Sequence, residues 1–262
     1  MVGTSRLWTE SYGLKLWTMD YGLSTVKRIN LWSGPRNIST ALMYSFAQRT
    51  DTQVFDEPLY GFYLNHSEAD KYHPGAADII NGMDNDGDKV MRTLSRFDDS
   101  SVYFFKNMTH HLLDLDRNYL CNFVNVILTR NPVEMLPSFA KVIPNPTMQD
   151  VGYQLHIDLI HDLQAMNLPV IVVDAKNILL NPEAQLTKLC EAIGIPFDKA
   201  MLSWTKGARQ EDGIWAKYWY ANVHNSTGFQ AYTPKIEPFP GYLEPLLEEC
   251  EACYRELLKW VI

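Results

Sequence analysis

Residues 29–40 read Ile-Asn-Leu-Trp-Ser-Gly-Pro-Arg-Asn-Ile-Ser-Thr, and this stretch decides the fold. Its apolar first part belongs to a run, 26–32, that predicts a buried β-strand. Gly34 and Pro35 then predict a tight turn. The apolar spacing of 38–49 predicts a helix that begins directly after the turn. A strand, a short turn and a helix in this order are typical of a βαβ unit with a parallel sheet.

The turn between this strand and this helix is a candidate anion site. The first N–H groups of a helix have no partner within the helix, and the helix dipole adds partial positive charge. Arg36 adds a full charge and two parallel donors for phosphate or sulfate oxygens. The candidate binding residues are Arg36, Asn37, Ile38, Ser39 and Thr40. The alternative is an ordinary turn in which Asn37 or Ser39 caps the helix.

Short apolar runs alternate with longer helical patterns over the rest of the chain. Four more strands are predicted at 53–55, 102–105, 123–128 and 170–173. Helices are predicted at 88–97, 147–166, 182–193 and 243–260. The alternation predicts an α/β protein with a central parallel sheet flanked by helices. Because there is no internal repeat or low-complexity linker, we expect a single domain at 25–262, preceded by an arm at 1–24.

The composition excludes several classes of protein. The 262 residues are 46% hydrophobic and 21% charged, as in soluble globular proteins and unlike disordered chains. The net charge of −8 disfavours nucleic acid as a partner, although a local basic pocket can still bind a small anion. No segment has the roughly 20 apolar residues of a membrane span, and the N-terminus does not resemble a signal peptide. The 4 cysteines are too few for a disulfide framework, so we expect a cytoplasmic protein.

A second candidate site follows the predicted strand 102–105. In a parallel sheet, ligands bind at the carboxyl ends of the strands, so Lys106 is placed to face an anion. His110 and His111 follow closely, and each can supply a base near neutral pH. The alternative is a solvated lysine followed by histidines at the start of a helix. Because the histidines lack the spacing of a metal-binding motif, we expect no metal.

A third candidate site follows the predicted strand 123–128. Arg130 stands at the strand end, and Pro132 is typical of the first turn of a helix. Ser138 lies about two helical turns later, so Arg130 and Ser138 can face one anion in the cleft. We expect Pro137 to loosen the helix beside them. The alternative is a surface arginine and an ordinary helical serine.

The three loops together resemble the sulfotransferases that use 3′-phosphoadenosine 5′-phosphosulfate (PAPS). The family's 5′-phosphosulfate loop follows the first strand, as 33–40 does here, and its lysine segment follows a middle strand, as Lys106 does. The family's 3′-phosphate motif is an Arg-Asn pair with a later Ser, which Arg130, Asn131 and Ser138 match. The resemblance extends to the small bacterial branch and to the sulfotransferase-like domain fused to some plant aminotransferase-like proteins. It implies a P-loop NTPase-like sulfotransferase fold.

The resemblance covers about 26–230 and includes a late motif, R-K-G-x-x-G-D-W-K, that is similar in content to 206–217. It implies that Lys206 and Gly207 bind the 3′-phosphate. Thr205 stands where the family has an arginine, and Arg209 is the candidate to replace it.

The identity of the general base stays open between several residues. Met108 stands where the family has its histidine, so His110 is the first candidate and His111 remains possible. Glu57 is the alternative, because its Glu-Pro-Leu segment resembles one in carbohydrate sulfotransferases. A carboxylate there would take a proton or bind a cationic acceptor. An ordinary strand-end glutamate before a proline is the other interpretation.

The resemblance implies an enzyme that transfers a sulfonyl group from PAPS to a hydroxyl or amine of a small molecule. Lys106 and Arg36 would neutralise the charge that develops in the transition state. The aromatic residues of 215–232 would form a lid over a small, flat or cationic acceptor, or else belong to the core. Two other functions remain open: an ATP-dependent small-molecule kinase, against which the absent Walker motif argues, and a non-catalytic nucleotide-binding module.

Overall fold

The computed structural model describes residues 26–234 and 238–262, so the arm predicted at 1–24 lies outside the described residues. The described strands form one sheet, and each corresponds to a predicted strand. They are β1 (Lys27–Ser33), β2 (Thr52–Asp56), β3 (Val102–Met108), β4 (Val124–Thr129) and β5 (Ile171–Asp174). Every neighbouring pair is parallel. The prediction of a central parallel sheet is confirmed.

Helices cover both faces of the sheet. Successive side chains of a strand point to opposite sides, so each strand contributes residues to the core on both faces. Leu31 and Phe104 belong to the core cluster on one face, whereas Trp32 and Phe105, the next residue in each strand, belong to the cluster on the other. Burial on both faces explains why the strands read as continuous apolar runs rather than as alternating patterns.

The helices of the described residues surround this sheet. The α-helices are α1 (Ser39–Phe46), α2 (Tyr60–Asn65), α3 (Ala76–Gly82), α4 (Gly87–Leu94), α5 (Pro132–Ala140), α6 (Met148–Val151), α7 (Tyr153–Ala165), α8 (Ala175–Leu180), α9 (Pro182–Ile193), α10 (Ala216–Trp219), α11 (Ala221–His224) and α12 (Glu244–Leu257). Short 3-10 helices lie at Glu68–Lys71, Thr109–Leu112, Arg117–Asn122, Lys199–Leu202, Gly241–Leu243 and Leu258–Trp260.

The predicted helices are present, with two kinds of difference. The helix predicted at 147–166 is two helices, α6 and α7, because Gly152 has a φ of 76° and breaks the helical path. The helices α2, α3 and α8 were not predicted. Each has only six or seven residues, which is too short for a helical period to be recognised.

The strand order β2-β3-β1-β4-β5 places β1 between β3 and β4. The chain leaves β1 toward one edge of the sheet and later crosses to the other, which creates a crevice at the carboxyl ends of these strands. In the register, Ser33 pairs with Met108 of β3 and with Leu128 of β4. The loops that follow β1, β3 and β4 therefore open at one edge, where the three candidate sites meet.

The cysteines and the helices carry no further covalent or membrane feature in the described residues. Cys121, Cys190, Cys250 and Cys253 are free thiols. Cys250 and Cys253 both lie on α12, and Cys250 is buried. No helix of the described ranges combines the length and apolar character needed to cross a membrane.

Candidate active site

The loop between β1 and α1 directs Arg36 into the crevice. Its φ of 51° lies in the left-handed region, which a non-glycine residue enters at a cost of about 1–3 kcal/mol. Arg36 Nε donates a hydrogen bond to Ser138 Oγ at 3.2 Å, and Nη1 donates to the Trp219 carbonyl at 3.3 Å. Burial, and then the neighbouring Arg130, lower the pKa of Arg36 below its ordinary value. Two partly buried cations side by side favour an anionic ligand.

Asn37 ties the loop to the sheet and does not cap α1. Its Nδ2 donates to the Leu128 carbonyl at 3.1 Å, and its Oδ1 accepts from the Ile38 N–H at 2.9 Å. Ile38 is the N-cap residue, and no side chain of the described residues caps this helix. The alternative in which Asn37 or Ser39 caps α1 is therefore wrong. The first turn of α1 has no side-chain cap that would compete with an anion.

Arg130 lies against the same loop from the end of β4. Its Nη1 donates to the main-chain carbonyl of Arg36 at 2.9 Å, so the first and third candidate sites are in direct contact. Its Nη2 donates to Glu134 Oε2 at 3.2 Å, and the Glu134 carboxylate also accepts from the Tyr232 hydroxyl. The guanidinium is held between the loop and α5 by these bonds.

Ser138 faces the cleft from α5. The helix starts with Asn131 as its N-cap, whose side chain accepts from the Val133 N–H, and it continues through Pro137. The expected loosening does not end the helix, because Leu136 and Phe139 on either side are buried in the core. Ser138 keeps a helical position from which its hydroxyl reaches Arg36.

Two cavities adjoin at this loop. The first has a volume of about 90 Å³ and is lined by Glu57, Tyr60, His73, Lys106, His110 and His111. The second has a volume of about 360 Å³ and is lined by Arg130, Ser138, Ile38 and residues between 222 and 233. Arg36, Asn37, Thr40, Trp219 and Tyr220 line both cavities, and Ser39 lines the first. These shared residues form a wall between the two cavities. Beyond it, the first cavity contains ionisable and aromatic side chains, and the second contains Arg130 and Ser138.

Lys106 is completely buried within β3, two residues before the strand ends, and its ammonium group has three hydrogen-bond partners. Its Nζ donates to Asp56 Oδ1 at 2.8 Å, to Glu57 Oε1, and to the Tyr220 hydroxyl at 2.8 Å. Asp56 is its direct partner in the parallel register of β2 and β3. Burial alone would lower the pKa of Lys106, but the Asp56 and Glu57 carboxylates raise it above its ordinary value. The lysine is therefore a permanent cation, and the solvated alternative is wrong.

Glu57 is the carboxylate that reaches the first cavity. Its φ of 45° is left-handed, and its N–H donates to the Lys106 carbonyl at 2.7 Å. Burial raises the pKa of Glu57 to about 7, although Lys106 opposes the shift, and Asp56 raises it further. Strain and a shifted pKa at a cavity wall are typical of functional carboxylates. An ordinary strand-end role does not explain these features.

The histidines form a buried, uncharged group behind this cavity. Burial lowers the pKa of His110 to about 3 and that of His73 to about 4, and it lowers the pKa of His111 strongly. His111 Nε2 lies 3.8 Å from Glu57 Oε2, and its ring stacks on Tyr60 with centroids 5.1 Å apart. These rings are neutral at physiological pH, and His110 Nδ1 and both ring nitrogens of His111 have no hydrogen-bond partner among the described residues.

The residues of the late motif lie outside both cavities. The Gly207 N–H donates to the His224 carbonyl at 3.0 Å, and Arg209 Nη2 pairs with Glu211 Oε1 at 2.9 Å. Lys206 lines neither cavity. The wall that faces Arg130 and Ser138 instead comes from the segment that follows α11. Lys206, Gly207 and Arg209 are therefore not brought together with the other candidates.

Comparison with known proteins identifies the family. The sulfotransferase domain family matches residues 27–242. The chain belongs to this family. It is 38% identical over 231 residues to the branched-chain-amino-acid aminotransferase-like proteins 2 and 1 of Arabidopsis thaliana, which covers 87% of this chain and 41% of each relative. The chain therefore spans about two fifths of the length of these curated relatives.

Solved structures of sulfotransferases share the fold. The sulfotransferase domain of the curacin biosynthetic pathway is 14% identical, covers 86% of this chain and 98% of its own, and has a TM-score of 0.53. The sulfotransferase of Alicyclobacillus acidocaldarius is 12% identical, covers 88% and 95%, and also has a TM-score of 0.53. The predicted P-loop-like sulfotransferase fold is confirmed.

Several residues of this sulfotransferase site were not singled out from the sequence. Asp56 and Tyr60 flank Glu57, and the position of Asp56 at a strand end opposite Lys106 was the signal for it. His73 lies in a loop between short helices and has no such signal. Among the described residues, no group of His, Cys, Asp and Glu side chains is arranged to hold a metal ion.

Proposed function

We propose that this sulfotransferase transfers a sulfonyl group from PAPS to a hydroxyl or amine of a small molecule. One observation carries the proposal: Arg130 donates to the Arg36 carbonyl at 2.9 Å while Arg36 Nε donates to Ser138 at 3.2 Å. The cations from two separate loops thus form one continuous site. A nucleotide with phosphates at both its 5′ and 3′ positions has the charge distribution that such a site selects.

The donor would occupy the second cavity, with its sulfonyl end at the shared wall. The loop after β1 and the start of α1, from Asn37 to Thr40, would bind the 5′-phosphate through N–H groups, and the Ile38 N–H would exchange its bond to Asn37 Oδ1 for one to the phosphate. Arg130 and Ser138 would bind the 3′-phosphate. Lys206, Gly207 and Arg209 are left out of this assignment because they line neither cavity.

In the transfer, the bond from sulfur to the bridging phosphate oxygen breaks, and the acceptor oxygen or nitrogen forms a new bond to sulfur. By analogy with phosphoryl transfer, the transition state is loose, with negative charge on the leaving oxygen. Arg36 and Lys106, which both line the first cavity, would stabilise that charge. The leaving electron pair stays on the product, adenosine 3′,5′-bisphosphate.

We assign the general base to Glu57. A base works best when its pKa lies near the working pH, and the pKa of Glu57 is about 7. The pKa of His110 is about 3, which makes its neutral ring a weak base. Glu57 would take the proton of the acceptor, and His110 and His111 would orient the acceptor through hydrogen bonds.

The acceptor is proposed to be small, because the first cavity has a volume of only about 90 Å³ and also holds the sulfonyl site. Trp219 and Tyr60 supply aromatic faces to it. Because the Tyr60 ring already stacks on His111, a cationic acceptor would use Trp219 for a cation–π contact. We keep the proposal of a cytoplasmic protein without nucleic-acid partners.

Calorimetry with three nucleotides tests the donor. The chain is titrated with adenosine 3′,5′-bisphosphate, ADP and ATP, and we expect tight binding of the bisphosphate alone. Incubation with PAPS labelled in its sulfonyl group and a metabolite extract then identifies the acceptor. Equal affinity for ATP, with magnesium-dependent transfer of phosphate, would overturn the proposal in favour of a kinase. Bisphosphate binding without any label transfer would instead indicate a non-catalytic module.

A further inference from the structure

The ammonium group of Lys106 has no free donor. A lysine has three N–H bonds, and those of Lys106 are directed to Asp56, Glu57 and the Tyr220 hydroxyl. If Lys106 is to stabilise a sulfonyl group, one of these partners must give way. The geometry of the three partners indicates which one is released and which ones hold the lysine in place.

The Tyr220 hydroxyl is the most constrained of the three partners. It donates to the Asp56 carboxylate, at 2.7 Å from Oδ1 and 2.8 Å from Oδ2, and it accepts from Lys106 Nζ and from Trp215 Nε1 at 3.1 Å. A hydroxyl has one donor and two acceptor positions, so its capacity is filled. Asp56 Oδ2 also accepts from the Gly213 N–H at 3.0 Å, which anchors this segment to β2.

The residue before Tyr220 holds the other cation. The Trp219 carbonyl accepts from Arg36 Nη1 at 3.3 Å. Two consecutive residues thus contact the two cations of the proposed sulfonyl site. Trp219 contacts Arg36 through its main chain, and Tyr220 contacts Lys106 through its side chain. Both residues also line the wall shared by the two cavities.

We propose that Tyr220 is a positioning residue for sulfonyl transfer: its hydroxyl, anchored by Asp56, fixes Lys106 at the shared wall and leaves Glu57 as the partner that the ammonium releases. The inference rests on the proposed function. Glu57 lines the first cavity, whereas Asp56 does not. When Glu57 takes the proton of the acceptor, its carboxyl group loses its charge and its bond to Lys106 weakens. One N–H of Lys106 then becomes available to the leaving oxygen.

The charge state of Glu57 depends on all the groups around it. The titratable groups that face it are Lys106, Asp56, Tyr220, Tyr60 and His111. Burial raises the pKa of Glu57 and the Asp56 charge raises it further, while Lys106, which the Tyr220 hydroxyl holds beside Glu57 Oε1, lowers it. Removing the hydroxyl and removing the Asp56 charge should therefore move the titration of Glu57 in opposite directions.

The test compares Tyr220→Phe with Tyr218→Phe in the full chain. Phenylalanine keeps the aromatic wall and removes only the hydroxyl, and Tyr218 is an exposed tyrosine that lines neither cavity. We expect Tyr220→Phe to lower kcat by about tenfold or more, because a misplaced group loses rate rather than binding. The affinity for adenosine 3′,5′-bisphosphate should stay within about twofold of the unsubstituted chain. The acid limb of the kcat profile should move to higher pH, and Tyr218→Phe should change neither property.

A second readout needs no acceptor and no turnover. Carboxyl NMR, with the Glu57 signal assigned from Glu57→Gln, follows the titration of Glu57 directly. We expect its midpoint to rise in Tyr220→Phe and to fall in Asp56→Asn, which also provides a test if Tyr220→Phe does not fold. Unchanged kcat and an unchanged Glu57 midpoint in Tyr220→Phe would overturn the inference. A parallel loss of bisphosphate affinity would also overturn it, since Tyr220 would then be a binding residue.

Failure of the proposed function gives a different result. If the unsubstituted chain neither binds the bisphosphate nor turns over PAPS, the proposed function is wrong, and the Glu57 midpoints still decide whether Tyr220 positions the Lys106 group. If the chain is active and only Tyr220→Phe behaves like the control, the proposed function stands and the inference fails.

Discussion

Arg36 and Ser138, 102 positions apart in the chain, are joined by a hydrogen bond of 3.2 Å from Nε to Oγ. This bond connects the loop after β1 with α5, the helix after β4. Because β1 and β4 are neighbours in the sheet, residues that follow their carboxyl ends lie side by side. The two candidate sites inferred separately from the sequence are therefore in direct contact.

Arg130 should determine selectivity for a 3′-phosphate. We expect Arg130→Ala to weaken binding of adenosine 3′,5′-bisphosphate about 10- to 100-fold, the equivalent of a charged hydrogen bond of roughly 1.5–3 kcal/mol. Binding of ADP, which lacks that phosphate, should change little. Calorimetry measures both, with Arg255→Ala on the exposed face of α12 as the matched control. An equal loss for both nucleotides would argue against this role.

Turnover should depend on the ionisation of Glu57. The pKa of Glu57 is raised to about 7 by burial, so a base in its ionised form is lost as the pH falls through 7. We therefore expect kcat/KM, which reports the free enzyme, to rise with pH up to and through this value. Glu57→Gln should lower kcat by about 10²- to 10⁴-fold and remove this limb of the profile.

The control for Glu57 is Glu183→Gln, an exposed glutamate in the first turn of α9. It should keep both the rate and the profile. If Glu57→Gln retains full activity while His110→Ala loses it, the base is His110, and the assignment to Glu57 is wrong.

Lys106 should also contribute strongly to stability. Lys106→Met leaves the buried carboxylates of Asp56 and Glu57 without their cation, and breaking a buried ion pair in this way costs about 3–5 kcal/mol. Urea unfolding at pH 7 measures the loss. Lys89→Met, which removes an exposed ion pair with Asp84, should have a much smaller effect because water and salt screen that pair. Equal effects of the two substitutions would contradict the prediction.

The buried histidines should make the fold sensitive to acid. Burial lowers the pKa of His156 to about 3 from an ordinary value of 6.5, so below pH 6.5 the unfolded chain binds a proton that the folded chain does not. Stability is therefore lost as the pH falls, by about 1.4 kcal/mol per pH unit for this one group. Urea unfolding at pH 7 and pH 5 should show a smaller loss for His156→Leu than for the unsubstituted chain.

His161→Gln provides the control for that measurement, because His161 lies on the same helix, α7, and is exposed. Its pH dependence should match that of the unsubstituted chain. An unchanged dependence in His156→Leu would show that His156 does not contribute to acid sensitivity.

The order of the strands along the chain and the three loops that follow them were predictable from local patterns. Buried parallel strands read as apolar runs, and Arg130 directly follows β4 while Arg36 lies three residues after β1. Lys106 was predicted to follow a strand at 102–105, but β3 continues to Met108, so Lys106 lies within the strand. The positions of these cations at one edge follow from the rule that ligands bind at the carboxyl ends of parallel strands. The interruption at Gly152 and the short helices α2 and α3 were not predictable. A break at one residue and helices of six or seven residues are shorter than the stretches of sequence in which periodicity is visible.

The late motif shows where local similarity in content is insufficient. Residues 206–217 have the composition expected of a phosphate-binding segment, yet Arg209 pairs with Glu211 and lies over the ring of Tyr44 at 5.7 Å. The residues between 222 and 233 line the second cavity instead. Composition does not specify which turn of an irregular segment approaches the cleft, since that depends on long-range packing.

By itself, the order of residues determined the parallel sheet, the helix that follows its first strand and the three cationic loops, because periodicity, turn residues and strand ends are local properties. Only the tertiary structure decided that Lys106 is enclosed by Asp56, Glu57 and Tyr220, and that Glu57 rather than His110 has a pKa near 7. Burial and the distances between charges set a pKa, and both arise when residues distant in the chain, such as Lys106 and Tyr220, are packed together.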